Sequence, residues 1–277
     1  MVIGLGAALL AAVLFGVAGV VQAIAARRYG LFSWMMVGVG VTYLLGWGLH
    51  LVAIAYVPLY VAQVGIALSL VVTAILAATV VGEPLALRHW IAIATMVVGL
   101  VLVVVAAGPV GSTHFETERT LMLYLGSAVT LVLGLLAARW QGPASGVLLG
   151  ALAGIAYGGS PISTRALVDP HLNAETILPA LTVVSYGLLG FWLCSLGLRR
   201  AAVTAVNAPL ILLETLIPAI IGITVCDDQV RAGWWPVAVI GFALSTAGAL
   251  VLCGAEARLE DLDGPQLEQE PMVGWDA

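Results

Sequence analysis

The feature that most constrains this chain is a series of long apolar runs separated by short polar breaks. Nine runs of at least about 18 residues, the length that crosses a bilayer as a helix, can be read along the sequence. They cover residues 2–26, 33–55, 58–81, 90–107, 121–138, 145–166, 178–198, 203–225 and 234–253. The sequence therefore predicts an all-α polytopic membrane protein with nine transmembrane spans.

The composition excludes several classes of protein. Only 9% of the 277 residues are charged, whereas a soluble domain carries about 25%, so a water-soluble enzyme is excluded. No basic patch could meet the phosphates of a nucleic acid. No nucleophile–base pair, metal-ligand spacing or phosphate-binding loop is present either. We therefore expect neither enzymatic activity nor a cofactor, and membrane lipids as the surroundings.

The distribution of arginine predicts the orientation. With nine spans, the side reached after span 1 holds seven arginines and the other side holds three. The positive-inside rule then places the N-terminus outside and the C-terminus in the cytoplasm. All ten basic residues are arginine, which together with the richness in Ala, Gly, Val and Leu favours a bacterial plasma membrane. Residues 254–277 carry seven acidic residues against one arginine, which predicts a disordered cytoplasmic tail or a docking segment for a partner.

An internal repeat relates the two halves at an offset of 142 to 144 residues. Small residues recur every four positions in spans 1 and 6, and polar landmarks recur after them. The matched sets are Gly4, Ala8, Ala12 and Gly16 with Gly146, Gly150, Gly154 and Gly158, and Gln63, Glu83 and Trp90 with Asn207, Asp227 and Trp234.

An odd span between two copies inverts the second copy, and inverted repeats are the architecture in which alternating access arises. We expect a transporter domain over residues 1–253, with repeat 1 at about 2–107 (spans 1–4), a linker helix at about 120–139 (span 5) and repeat 2 at about 145–253 (spans 6–9). The simpler alternative is that rows of small residues only allow helices to pack closely.

Glu214 is the one acidic residue near the middle of a span. Because an ionisable group at that depth is unfavourable by a few kcal/mol, it is a functional candidate by default. We expect Glu214 to bind a proton or to contact the substrate; a neutral carboxyl that cross-links two helices is the alternative. Asn207 lies two helical turns earlier on the same face, and Gln63 is its repeat mate.

Other polar residues in the spans complete the candidate site. His50 in span 2 could relay a proton, although a lone membrane histidine is more often a packing residue. Tyr157 and Ser160 flank a Gly-Gly and precede Pro161, an interruption that often marks a transporter binding site. Tyr186 belongs to the repeated Thr-Tyr and Ser-Tyr pairs. Arg165 is expected to extend to the outer surface, with a gate that pairs it with Asp169, Asp227 or Asp228 as the alternative.

Three stretches carry a family resemblance: 45–53 (LGWGLHLVA), 61–70 (VAQVGIALSL), and Val81-Gly82-Glu83-Pro84-Leu85 leading into Trp90. They resemble the drug/metabolite transporter superfamily of the EamA type, and most closely its branch related to magnesium transporters (NIPA-like). The resemblance implies an inverted-repeat transporter fold. It also implies a substrate among amino acids, nucleotide sugars, polyamine-like drugs and metal ions.

Three functional hypotheses follow. The first is a secondary transporter of a small polar metabolite or drug-like solute, coupled to protons through Glu214. The second is a carrier of a divalent cation such as Mg²⁺, with an unknown metal site. The third is a non-transporting subunit or scaffold in a cell-envelope complex. A homodimer or an envelope-complex partner is compatible with each of them.

Overall fold

The chain folds into a bundle of helices. The structure, a computed structural model, describes residues 1–28, 34–81, 85–111, 117–165, 174–201 and 203–262. Within these residues the helices are α1 (Val2–Arg28), α2 (Trp34–Tyr56), α3 (Leu59–Ala67), α4 (Ser69–Val81), α5 (Leu87–Val105), α6 (Thr117–Arg139), α7 (Pro143–Arg165), α8 (Ala174–Leu198), α9 (Val203–Thr224) and α10 (Trp235–Leu262). The predicted all-α class is confirmed for this part of the chain.

The outside of the bundle suits a membrane. Eight helical windows in the described residues are long and apolar enough to cross one, judged by length and composition. The apolar part of α1 that is described in full, Val2–Ala18, is shorter than these windows, so the count of nine spans stays a prediction. Leu44, Met122 and Leu188 are 69%, 68% and 67% exposed. So much exposed apolar surface fits lipid rather than water.

Two expectations concern residues at the edges of the described ranges. Helix α10 continues to Leu262, beyond residue 253, where the ninth predicted span ends. The remainder of the acidic tail, 263–277, lies outside the described residues. Glu83 and Asp169 also lie outside the described residues.

The third predicted span is divided into two helices, which the sequence analysis did not anticipate. At Leu68 the backbone N–H donates to the Gly65 carbonyl three residues earlier, at 3.3 Å, so the turn tightens and α3 ends. The residues of α3 from Leu59 to Gly65 are all buried. The outer face of most membrane helices meets lipid, whereas this short helix is surrounded by protein.

Close helix packing depends on the glycines of α7. A Cβ at Gly150 would overlap the carbonyl oxygen of Val206, and one at Gly154 would overlap that of Leu210. Both carbonyls belong to α9, so the backbones of α7 and α9 are in direct contact at these two levels. The prediction that small residues allow close approach is confirmed here.

Glycine contacts recur in both halves at the predicted offset. In each half the helix of the first span (α1 or α7) meets the helix of the second span (α2 or α8) twice. It meets a helix of the third span (α4 or α9) once. The matched contacts are Gly4 with Ala53 and Gly146 with Gly197, the Phe15 ring with Gly46 and the Tyr157 ring with Gly190, and Gly16 with Ser69 and Gly158 with Leu213. The helices of the fourth span in each half, α5 and α10, meet where Gly99 and Gly241 each approach the other's carbonyl oxygen.

A pair of matched substitutions tests the packing of α7. We expect Gly154→Ala to lower the free energy of unfolding by about 1–3 kcal/mol, because the new methyl group overpacks a backbone contact. Gly187→Ala on α8 is the control, because a Cβ there meets nothing within 4 Å. It should be neutral or stabilising by up to about 1 kcal/mol, through helix propensity. The measurement is unfolding in detergent micelles by titration with sodium dodecyl sulfate; equal effects at both sites would contradict the packing.

Candidate functional site

Arg165, at the end of α7, is fully buried, which contradicts the expectation that it extends to the outer surface. Its Nη2 donates to Oδ1 of Asp228 at 2.7 Å, and this ion pair has no exposed side-chain surface on either partner. Nη1 donates to the carbonyl of Ile54 at 3.2 Å and to that of Val57 at 3.4 Å. The carbonyl of Gly111 accepts from Nη2 at 3.3 Å. Of the pairings considered from sequence, the structure contains the one with Asp228.

Asp228 is equally engaged. Its Oδ2 accepts the backbone N–H of Leu59, the first residue of α3, at 2.6 Å, and Oδ1 accepts that of Gly111 at 2.9 Å. A carboxylate at a helix N-terminus satisfies a free N–H and complements the helix dipole. The neighbouring Asp227 is exposed, with φ +58°, so the chain turns here and only one of the two carboxylates enters the interior.

Two loops close over this ion pair. Ala107 and Val230 form an antiparallel bridge, flanked by hydrogen bonds from the Gly108 N–H to the Gln229 carbonyl and from the Arg231 N–H to the Ala106 carbonyl. Cys226 is fully buried beside them. We call the region formed by Arg165, Asp228 and the loops 106–111 and 226–231 the Arg165 end.

Burial changes the chemistry of the thiol at the Arg165 end. Removal from water disfavours the thiolate and raises the pKa of Cys226 to about 11. Because the thiolate is the reactive form, this thiol is inert at neutral pH for as long as it stays buried.

Glu214 lies at the centre of a second set of polar residues, deep in the helices. Its carboxylate lies within electrostatic range of the Tyr157 hydroxyl and of the Cys194 thiol, and Tyr43 lies within the same range of Tyr157. We call these four residues the central group. Within the described part of the chain, Glu214 has neither a hydrogen-bond nor an ion-pair partner, so the structure does not show it as a cross-link between helices.

Two prolines add acceptors to the central group. Pro161 in α7 and Pro218 in α9 lie inside their helices. A proline has no N–H for the carbonyl four residues earlier, and those carbonyls belong to Tyr157 and Glu214. The two helices are adjacent at this level, since a Cβ at Gly158 would lie 3.4 Å from the Leu213 carbonyl oxygen. The central group therefore combines a carboxylate, two phenols and a thiol with two carbonyls that lack their usual helical partner.

One face of α2 leads from the Arg165 end toward the central group. Tyr43, Trp47, His50 and Ile54 follow one another at helical spacing and share that face. Between its two ends, Trp47 Nε1 and His50 Nδ1 are buried without a hydrogen-bond partner among the described residues. A buried polar atom of this kind needs an explanation, such as a bound solute or water.

The remaining predicted site residues occupy different surroundings. Gln63 on α3 is buried, and its Nε2 has no hydrogen-bond partner among the residues that the structure describes. Asn207 and Ser160 are half-buried. The hydroxyl of Tyr186 donates to the Leu123 carbonyl of α6 at 2.9 Å, which commits it to helix packing. Among the described side chains no cluster of three or more His, Cys, Asp or Glu could hold a metal ion.

Sequence reasoning did not single out Trp47, Tyr43 or Cys194. A signal for the first two was present, because Trp47 lies three and Tyr43 seven positions before His50, on its helical face. Cys194 carries no such signal, since its relation to Glu214 depends on how α8 packs against α9.

Comparisons of the chain with protein-family models, with curated proteins and with solved structures found no match.

A conservative substitution tests the buried ion pair. We expect Asp228→Asn to lower the free energy of unfolding by about 3 kcal/mol, because it leaves a buried guanidinium without a counter-charge. Asp227→Asn is the matched control; it removes the same charge from an exposed position and retains a residue that tolerates positive φ, so it should change stability by less than about 0.5 kcal/mol. Unfolding in detergent micelles measures both, and a small effect at position 228 would contradict the buried pair.

Proposed function

We propose that this protein is a secondary transporter that moves a small polar solute by alternating access around Glu214, coupled to proton binding there. The observation that carries the proposal is a carboxyl deep in an apolar bundle without a hydrogen-bonding or ionic partner in the described part of the chain. Such a group is unfavourable in a membrane and is retained where it binds a ligand reversibly. A proton or a solute would fill that role.

The chemistry of the central group favours a solute with N–H donors or a positive charge. Three groups can accept hydrogen bonds from a solute: the Glu214 carboxylate and the main-chain carbonyls of Tyr157 and Glu214. The rings of Tyr157, Tyr43 and Phe15 lie close by; those of Phe15 and Tyr43 have centroids 6.0 Å apart. Aromatic faces attract cations. We therefore place protonated amines ahead of organic anions among the candidate solutes.

The recurring contacts between helices support an inverted repeat. The glycine contacts of α1 with α2 and α4 are matched by those of α7 with α8 and α9, at the offset predicted from sequence. Two halves with equivalent packing can exchange shapes around a central site, which is the basis of alternating access. The resemblance to the drug/metabolite transporter superfamily favours the same mechanism. The positive-inside count favours the N-terminus and the Arg165 end outside, and the composition, with arginine as the one basic residue type, favours a bacterial plasma membrane.

A carrier of Mg²⁺ is the second candidate. The observation in its favour is that the central group offers oxygen donors, which are the ligands that Mg²⁺ prefers. Such a site would use one carboxylate and retain most of the ion's water molecules. The transport test must therefore offer solutes and Mg²⁺ separately.

The test is flux into proteoliposomes that contain a pH-sensitive dye. Primary amines, amino acids and Mg²⁺ are added one at a time under an imposed proton gradient. We expect one class of amine to drive proton movement in the wild type. Glu214→Gln should reduce that movement to the level of empty liposomes, because the amide cannot exchange a proton.

A matched pair of tyrosine substitutions locates the site. Tyr157→Phe should weaken the apparent affinity for the solute about fivefold, the equivalent of about 1 kcal/mol for one hydrogen bond. Tyr186→Phe removes the same hydroxyl from the contact with Leu123; it should cost about 1 kcal/mol of stability and leave flux unchanged. Equal effects of both on affinity would contradict the central site.

Other outcomes of the flux assay separate the candidates. Uptake of Mg²⁺ that persists without a proton gradient would favour the cation carrier. Folded wild-type protein that moves none of the probes would contradict the transport proposal and favour a structural subunit.

A further inference from the structure

We propose that Arg165 and Asp228 form a plug at the Arg165 end of the protein. The second half carries the plug, which docks onto main-chain groups of the first half. When this end opens, the plug undocks as an intact ion pair. The inference rests on the alternating-access part of the proposed function. It identifies which entrance is closed in this structure and which hydrogen bonds must break to open it.

Both members of the plug belong to the second half. Arg165 ends α7, and Asp228 follows α9 in the loop that leads to α10. Their mutual contact of 2.7 Å therefore lies within one half.

Among the described residues, the other side-chain hydrogen bonds of the plug cross to the first half, counted with the loop 106–111 that ends it, and each of them meets the main chain. Arg165 donates to carbonyls at the end of α2 and in the loop after α5, and Asp228 accepts N–H groups at the start of α3 and in the same loop. The first-half atoms are the carbonyls of Ile54, Val57 and Gly111 and the N–H groups of Leu59 and Gly111.

The loops around the plug are also joined by hydrogen bonds between the first and the second half. Gln229 of the second half accepts from the Gly108 N–H at 3.0 Å and from the Tyr60 hydroxyl at 2.9 Å, and its own N–H donates to the Pro109 carbonyl at 3.2 Å. These bonds also join the two halves. Opening this end therefore requires hydrogen bonds between halves to exchange for water, whereas the two charges need not separate.

This division determines how easily the entrance opens. Separation of a buried carboxylate from its guanidinium would leave an uncompensated charge, which is strongly unfavourable. Hydrogen bonds to the main chain have small net free energies, because water replaces the lost partner. A plug that moves as a neutral pair avoids the free-energy penalty of separating the two charges. The interface between the halves can therefore be stable when closed and still open.

The plug also lies at the end of a polar path. The Ile54 carbonyl that it binds belongs to the α2 segment that also carries His50 and Trp47, and His50 Nδ1 and Trp47 Nε1 are buried without partners in the described chain. The face of α2 that carries these two residues continues to Tyr43 of the central group. Undocking would admit water or solute to these atoms and connect the entrance to Glu214.

Cys226 supplies a native reporter for the opening, because it is fully buried at the Arg165 end. With Cys194 and Cys253 replaced by alanine, the labelling rate at Cys226 is measured with a membrane-impermeant maleimide added to either side of sealed vesicles. We expect slow labelling of the parent protein from one side only. Asp228→Asn and Arg165→Gln should label at least about tenfold faster, the change that 1.4 kcal/mol in the opening equilibrium produces.

The control neutralises Arg200, which follows α8 and donates to the Ser145 hydroxyl near the start of α7, far from Arg165 at its other end. Arg200 donates to the carbonyls of Ala137, Ala138 and Trp140 at the end of α6. Arg200→Gln removes comparable hydrogen bonds but should leave labelling at Cys226 unchanged. Size-exclusion chromatography establishes that each variant is folded. A folded Asp228→Asn protein in which Cys226 is as protected as in the parent would overturn the proposal.

A disulfide lock tests the plug without disturbing it. Ala107 of the first half and Val230 of the second form the bridge between the loops. The flanking hydrogen bonds make them a non-hydrogen-bonded pair, whose Cα atoms are typically about 4.5 Å apart, within the range that a disulfide needs. In Ala107→Cys/Val230→Cys, oxidation should lower Cys226 labelling and solute flux at least about tenfold, and reduction should restore both; each single variant is a control.

The readouts separate the two proposals. An oxidised lock that leaves labelling and flux at the reduced level would overturn the plug, even if flux depends on Glu214. Labelling that follows the lock in a protein with no flux of any probe would support the plug and count against the transport proposal.

Discussion

A guanidinium and a carboxylate that are both removed from water hold one end of this bundle together. Such a pair is tolerated only when the remaining donors and acceptors are largely used. Arg165 and Asp228 meet that condition with main-chain groups from the end of α2, the start of α3 and the loop after α5; the exception is Arg165 Nε, which is buried without a partner among the described residues. These segments are distant in sequence, so one ion pair joins parts of the chain that are not neighbours, and these include the first residue of the buried helix α3.

Helix α7 links that end to the interior. Its glycines bring its backbone against α9, its proline frees the carbonyl of Tyr157, and its last residue is Arg165. Close approach of α7 and α9 is what brings Tyr157 near Glu214. Packing and chemistry therefore depend on the same residues, and a substitution that widens this contact would displace the central group as well as destabilise the fold.

The sequence predicted what local rules govern. Apolar length located most helices, and the offset between Gly4 and Gly146 anticipated matching contacts. The break at Leu68 was not predictable in this way, because no proline marks it. The position of Arg165 was predicted wrongly, because the snorkelling rule considers one side chain and its distance from the surface. Its acceptors are carbonyl oxygens, which no residue pattern identifies, and its counter-ion lies in a loop 63 positions later.

The neutrality of the buried pair has an electrical consequence. Each elementary charge that crosses the membrane potential contributes about 2.3 kcal/mol per 100 mV. Arg165 and Asp228 carry opposite charges at 2.7 Å, so their joint displacement moves almost no net charge through the field. Entrance opening would then be nearly independent of voltage. In the proposed transport cycle, any electrogenic step would have to arise at Glu214 or from the charge of the solute itself.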